Sequence, residues 1–275
     1  MFAGEQWKLK LLKTYWRYLV EINLNEELLI AQKICIDAGK QLKNSYNRPN
    51  ILSNNDRDIK LKQDIDTNQK IINALLKHSS VKHILSEENS NKDIDQKGFY
   101  WIVDPLDGSY NYYRNIDICC TSMALWNKDT PVIGITYDFI HDELYYNSVS
   151  EEKSFCNDQI ITGPSDKKFD QLCIASGIPS QLQLNSESIN KYFTFLTQFK
   201  KVRFFGSAAM SLCLLAKGKV DIYYEKEIFI WDIASGLKIC SDAGIKFNLK
   251  QLGDYKVEVI ACNKKVLNQI ADSII

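Results

Sequence analysis

Residues 101–109, WIVDPLDGS, run an apolar strand straight into two carboxylates and a turn. No other feature constrains the fold as much. A strand as apolar as Trp101-Ile102-Val103 belongs in a core, and it carries Asp104 to the edge of that core. A carboxylate there is costly unless something neutralises it. Three further segments place an acid at the end of an element: Asp64 within DIKLKQD, Glu87-Glu88 within LSEEN, and Asp232 in Trp231-Asp232, which opens a helix.

Taken singly, each segment has an ordinary reading. D-P-x-D-G makes a turn with an Asx cap. Glu87-Glu88 makes a solvated acidic turn, and Trp231-Asp232 a helix cap. Taken together, converging carboxylates repel one another and demand a cation. Oxygen donors without His or Cys suit Mg²⁺, Mn²⁺ or Ca²⁺ rather than zinc, and no twelve-residue EF-hand loop occurs. Gly108-Ser109 can open a helix whose free N–H groups face an anion. Metal ligands on one side and helix-end amides on the other would grip a phosphate, as phosphoryl hydrolysis requires.

The 275 residues make one large domain or two closely packed ones. Thirty-four basic residues against 34 acidic ones give zero formal charge, which excludes non-specific nucleic-acid binding as a main activity. No apolar run is long enough to span a membrane. The N-terminus lacks the apolar run and cleavage site of a secretory signal. The eight cysteines are scattered through apolar runs with no C-x-x-C, which predicts buried, reduced thiols in a cytoplasmic protein.

Residues 5–22 have the spacing of a basic amphipathic helix, which can meet a membrane surface or a partner, or pack on its own domain or on a second subunit. A second helix is predicted over 26–45, starting at Asn25, and a third over 65–77. Asn44–Asp58 is polar and turn-rich and reads as a mobile loop. Segments 118–126, 131–139 and 143–147 read as neighbouring antiparallel strands. Beyond Gly163-Pro164, strands (LCIAS, VRFFG, VDIYYE, VEVIAC) alternate with helices near 184–199, 207–217 and 231–243, which predicts a sheet covered by helices.

In combination, Asp64, SEE at 86–88, DPLDGS at 104–109 and WDIASG at 231–236 resemble the inositol monophosphatase family of Mg²⁺-dependent, lithium-sensitive phosphatases. GSAAMSLCLLAKGKVDIYYE (206–225) and YDFIHDELYY are similar to further family segments. The resemblance runs from about residue 25 to the C-terminus. It implies an α+β fold, the layered αβαβα sugar-phosphatase arrangement, with a mostly antiparallel N-terminal sheet and a second α/β half. The implied organisation is a helical extension over 1–24, a half with the metal site over 25–162, and a half completing the site over 163–275.

The resemblance also implies roles. Glu87 and Asp104, with the Leu106 carbonyl, would hold a first Mg²⁺; Asp104, Asp107 and Asp232 would hold a second, and a third ion could share Glu87. Glu87, Ser109 and Asp64 would orient the attacking water, Asp64 pairing with the Ser109 hydroxyl. Gly108 and Ser109 amides would hold phosphate, Ser207 and Ala208 would lie near the substrate ring, and Glu225 would bind its hydroxyls. The loop 44–58 would close over the metals. Ser109 stands where the family has Thr, Ser86 where Gly is common, and Arg114 where many relatives carry His. The implied activity is hydrolysis of an inositol monophosphate-like polyol phosphate by a homodimer. Bisphosphate nucleotidase, histidinol phosphatase and fructose-1,6-bisphosphatase are alternatives, and a non-catalytic metal-binding regulatory module is an alternative of another class.

Overall fold

The computed structural model describes residues 22–55, 58–89, 96–178 and 186–274. The helix expected over 5–22 lies outside them. Helix α1 (Leu24–Ser45) buries Leu28, Ala31, Ile34, Cys35, Ala38 and Leu42 along one stripe. Its N-cap is Asn23, two residues before the expected Asn25, because the Asn23 side chain accepts the Glu26 amide at 3.3 Å.

The segment expected to be a loop over 44–58 is structured in part. α1 runs through Ser45, and β1 (Ile51–Asn55) pairs antiparallel with β2 (Asp58–Leu61). Ile51 and Leu52 are exposed while Ile59 and Leu61 are buried. The hairpin therefore sits with β2 on the core, and β1 carries no apolar alternation to signal a strand. Helix α2 (Lys62–His78) starts earlier than expected, so Asp64 lies in its first turn and accepts the Leu61 amide at 2.9 Å.

A seven-stranded sheet follows, built from β3 (Ile84–Ser86), β4 (Phe99–Asp107), β5 (Cys120–Asn127), β6 (Thr130–Asp138), β7 (Glu143–Ser148), β8 (Lys153–Cys156) and β9 (Gln159–Ile161). Its order follows the sequence, and every pairing except β3–β4 is antiparallel. Between β4 and β5, α3 (Ser109–Tyr113) is a single turn. A second sheet of order β11-β10-β12-β14-β13 mixes parallel and antiparallel pairs. Its strands are β10 (Cys173–Ser176), β11 (Lys201–Phe204), β12 (Ile222–Phe229), β13 (Lys246–Gly253) and β14 (Lys256–Cys262). The remaining helices are α4 (Ser186–Leu196), α5 (Ala208–Ala216), α6 (Ile230–Asp242) and α7 (Lys264–Ile274).

Among the described residues, three large cores lie between five layers, the middle one enclosing α5 and α6. Helices α1 and α2 cover one face of the first sheet through Leu42, Ile71, Trp101, Val103 and Met123. The other face of that sheet meets α5 and α6 through Ile102, Trp126, Leu212 and Leu237, and the second sheet closes this core with Tyr223 and Val259. Its outer face, Ile222, Tyr224 and Ile260, packs on Phe195, Leu196, Val266 and Ile270 of α4 and α7. The alternation of Ile222, Tyr223 and Tyr224 between two cores is that of a strand buried on both faces. Helix α6 buries Ile230, Trp231, Ile233, Ala234, Leu237, Ile239 and Cys240 between the two sheets, and leaves Lys238 and Asp242 paired at 2.8 Å at its end. Its Ser235 hydroxyl reaches Ser122 at 2.7 Å and Thr136 at 2.8 Å, fixing the helix against β5 and β6. All eight cysteines are free thiols, seven of them buried. No helix among the described residues is long and apolar enough to cross a membrane.

Candidate active site

Strand β4 ends in DPLD, and its chemistry bends it. Pro105 has no amide to give the ladder, and the register with β5 slips between Asp104 and Asp107. The Asp104 carboxylate accepts the Leu106 amide at 3.0 Å, and Thr121 secures the Pro105 carbonyl at 3.0 Å. Asp104 and Asp107 consequently line one cleft. Gly108 follows with φ 83°, and an added Cβ would meet the Ile118 carbonyl at 2.9 Å. Only glycine turns the chain into α3 here. Asn111 then ties α3 to the second half, donating to the Ile118 and Phe205 carbonyls at 2.8 Å each.

The cleft has a volume of about 250 Å³ and opens to solvent. Its wall includes Glu87, Asp104, Leu106, Asp107, Gly108, Ser109, Ser207, Ala208, Glu225 and Asp232, so ten of the eleven residues expected in the site meet there. Asp64 stands just behind. Asp107 is held across the two halves: Ser207 donates to Oδ2 at 2.6 Å and the Ala209 amide at 2.7 Å. Ser207 at the same time caps α5, accepting the Met210 amide. Asp232, in the first turn of α6, accepts the Phe229 amide at 3.3 Å. Glu225 is buried and accepts the Tyr223 hydroxyl at 2.7 Å. The Ser109 hydroxyl has one proton and two acceptors, the Leu106 carbonyl at 2.9 Å and Asp64 at 3.3 Å. The shorter contact is to the carbonyl.

The electrostatics are those of a site short of positive charge. Lost hydration is the largest cause for every acid. It pushes Asp104 and Asp232 well up, Asp107 to about 6, and Asp64 and Glu225 to about 7. Carboxylate neighbours add to this: Glu87, Asp107 and Asp232 for Asp104, and Asp107, Glu87 and Glu225 for Asp232. Glu87 is open to the solvent of the cleft, yet protein crowds its carboxyl. Lost hydration, then Asp64 and Glu88, push it up, and a hydrogen bond with Asp104 opposes them. Two carboxyl groups bond to each other only by sharing a proton. Lys60 pairs with Glu88 at 2.5 Å on the rim, where it is 46% exposed.

This donor set fits a hard divalent cation. It is all oxygen and largely buried, and its carboxyl values are pushed up by lost hydration and by one another, the load a cation would relieve. Among the described residues, no three acidic, thiol or imidazole groups are already drawn together as a metal cluster. The fit is therefore one of donor chemistry, with the carboxylates at rest on protein partners such as Ser207 and Ala209.

Sequence reasoning missed Ser176, Gly177, Ile178, Tyr110, Ser211, Ile59 and Ile228, which also line the cleft. Gly177 lies so close to Glu225 that an added Cβ would stand 2.5 Å from Oε1. A lone Gly in Ala-Ser-Gly-Ile-Pro signals a turn and nothing more. Arg114 is exposed at the end of α3 and is not part of the cleft wall.

Five layers around an all-oxygen acidic cleft define the class: the layered sugar-phosphatase fold. Comparison with known proteins agrees. The inositol monophosphatase family profile matches residues 23–273. The Nus factor SuhB of Pasteurella multocida is 28% identical over 231 residues, 80% of this chain and 84% of the relative. The fructose-1,6-bisphosphatase/inositol-1-monophosphatase of Aquifex aeolicus is 26% identical over 246 residues, 88% and 92% of the two chains. The structure of inositol monophosphatase from Anabaena superposes with a TM-score of 0.78 at 24% identity, covering 92% of this chain and 96% of that one. The chain belongs to the inositol monophosphatase family.

Proposed function

We propose that the protein is a Mg²⁺-dependent phosphomonoesterase acting on a small polyol phosphate of the inositol monophosphate kind. One observation carries the reading: Glu87, Asp104, Asp107 and Asp232 share a cleft with a fifth carboxylate, the buried Glu225, that the cation donor set does not need. Glu87, Asp104, Asp107 and Asp232, with the Leu106 carbonyl, would hold two or three Mg²⁺. When bound, Mg²⁺ supplies the positive charge that draws in a phosphate and acidifies water.

The chain's own groups do the rest. Glu87, at the open side, orients water against the phosphate. Ser109 and Asp64 stand behind it as a proton path. Engaging the Leu106 carbonyl elsewhere directs the Ser109 proton toward Asp64, whose Oδ1 lies 3.3 Å from that hydroxyl. Asp107 is fixed by Ser207 and Ala209 from the second half. Gly108, Ser109, Ser207 and Ala208 border the phosphate and ring positions. Glu225 keeps lone pairs free beside its Tyr223 bond and accepts from substrate hydroxyls. In this reading residues 25–162 and 163–275 are two packed halves, each supplying part of the site. The chain is a homodimer that sedimentation would reveal, located in the cytoplasm. A hexose bisphosphate is the second reading, favoured by the double name of the Aquifex relative.

The test is phosphate release with Mg²⁺ from inositol monophosphates, fructose 1,6-bisphosphate, adenosine 3′,5′-bisphosphate and histidinol phosphate. Chelation should abolish turnover, Mg²⁺ restore it, and Li⁺ inhibit it. Asp104→Asn should lose at least about a hundredfold in kcat while keeping the fold. Near-native turnover in that variant, or none from the native chain on any substrate, sinks the proposal.

A further inference from the structure

Glu225 and Ile228 both line the cleft although they lie three positions apart on one strand. On a regular strand such residues face opposite sides. An extra residue resolves the parity. Lys226 pairs with Glu258 and Ile228 with Val257, so Glu227 has no opposite number on β14. Glu227 has φ 59°, the left-handed conformation that glycine adopts freely and a side-chain-bearing residue adopts at a cost. The first sheet solves the same problem in the same way: Asp104 and Asp107, also three apart, span the slip opposite Ser122 and Cys120. Past the bulge, β12 runs on to Phe229, whose amide binds Asp232. Glu227 thus stands two residues after Glu225 and five before Asp232.

We propose that Glu227 is a positioning residue: its left-handed bulge turns Glu225 and Ile228 to one wall of the cleft, in phase with Asp232. The wall so formed offers a hydroxyl acceptor beside an apolar surface. It suits a leaving alcohol with a hydroxyl edge and a C–H face, as a ring polyol has, over a linear or singly hydroxylated one. The proposal rests on the phosphatase reading above, and its test separates the two.

The variants are Glu227→Gly, Glu227→Gln, Glu227→Ala and Glu227→Ile. Two quantities are measured with Mg²⁺: the ratio of kcat/KM for a ring polyol phosphate to that for an aryl phosphate, and the Kd of a phosphonate analogue of the former. Backbone positioning predicts that Gly and Gln hold the wild-type ratio, with Gly raising Tm. Ala and then Ile should lower the ratio, Ile by about tenfold, through KM, because a β-branched residue resists the left-handed region. The phosphonate Kd should weaken in the same order. Loss of the ratio in Gly but not in Gln would assign the effect to the side chain and overturn the proposal. So would a ratio and Kd that stay flat while Tm falls from Gly to Ile, since that is a merely structural bulge. A wild-type protein that hydrolyses neither substrate overturns the phosphatase reading; the Kd series still decides the role of the bulge.

Discussion

Gly177→Ala measures how tightly the fold pins Glu225. The φ of Gly177 lies outside the left-handed region, so space, not backbone conformation, reserves the position for glycine. An added Cβ would stand 2.5 Å from Glu225 Oε1 and 2.7 Å from Cδ and Oε2, where ordinary contact begins at 3.4 Å. The carboxylate must retreat by about 0.9 Å. Its bond from the Tyr223 hydroxyl, 2.7 Å in the native protein, then stretches beyond hydrogen-bonding range. A displaced Glu225 also loses its place opposite the substrate hydroxyls, and losing that charge-assisted contact costs about 1.5–3 kcal/mol, or roughly tenfold to a hundredfold in kcat/KM for a polyol phosphate. The assay is kcat/KM on a polyol phosphate and an aryl phosphate, with Tm recorded alongside. The aryl phosphate should change by no more than a factor of about three, since it offers Glu225 no hydroxyl pair. A polyol value within twofold of wild type would refute the reasoning, because Glu225 would then be free to move without consequence. An equal loss on both substrates would refute it too, by showing that Glu225 supports the whole site.

Gly134→Ala should destabilise by more than a surface change. Its Cβ would collide with the Ser235 carbonyl of α6, backbone that cannot yield without shifting the helix that carries Asp232. A loss of about 1–3 kcal/mol, a fall of several degrees in Tm, and weakened Mg²⁺-dependent turnover are expected; an unchanged Tm would contradict the packing. Ser86→Ala should leave Tm unchanged or raised, because the buried Ser86 hydroxyl has no partner among the described residues and its removal orphans nothing there; a fall of several degrees would show that the hydroxyl is satisfied. The chelated protein should lose stability as pH rises. Asp104, Asp107, Asp232, Asp64 and Glu225 all have folded values raised above their unfolded ones, so the folded state retains protons the unfolded state releases. That stability is full below about pH 4 and is lost through about pH 6–7 and above. Thermal melts in EDTA and in Mg²⁺ check it: Mg²⁺ should raise Tm more at pH 8 than at pH 5.5, and the reverse ordering would contradict the sign.

The acidic site was legible because its chemistry is written in residue types. A carboxylate after an apolar strand is improbable without a purpose, and Asp104, Asp107 and Asp232 are all of that kind. The layered fold was legible because buried strands and helices carry strong apolar patterns, as Trp101–Val103 and Ile230–Cys240 do. What escaped was structure whose signal lies in a partner. β13 is a largely exposed strand with a polar composition, and it exists because β14 offers it a ladder. β8 and β9 are four and three residues long, too short to show a period. The extension of VDIYYE to Phe229 was hidden by Lys226 and Glu227, which sit at the bulge where alternation breaks. Gly177 escaped because a close approach between segments about fifty residues apart leaves no local mark.

The cleft explains why the two halves pack as they do. Asp107 comes from the first sheet, yet its Oδ2 is held by Ser207 and Ala209 of the second half. Asp232 comes from the central helix, which Ser235 fixes to Ser122 and Thr136 of the first sheet. Asp64, on α2, caps its own helix with one oxygen and faces Ser109 with the other. Asp107 and Asp64 are thus fastened to groups of elements other than their own, while Asp104 is held by the Leu106 amide of its own strand. Repulsion among the acids would open an unfastened cleft. Dispersing the anchors over both sheets, α2 and α6 lets the cores on either side of the cleft oppose that repulsion. Separating the two sheets would therefore remove the anchors and the site together, and the raised carboxyl values with them.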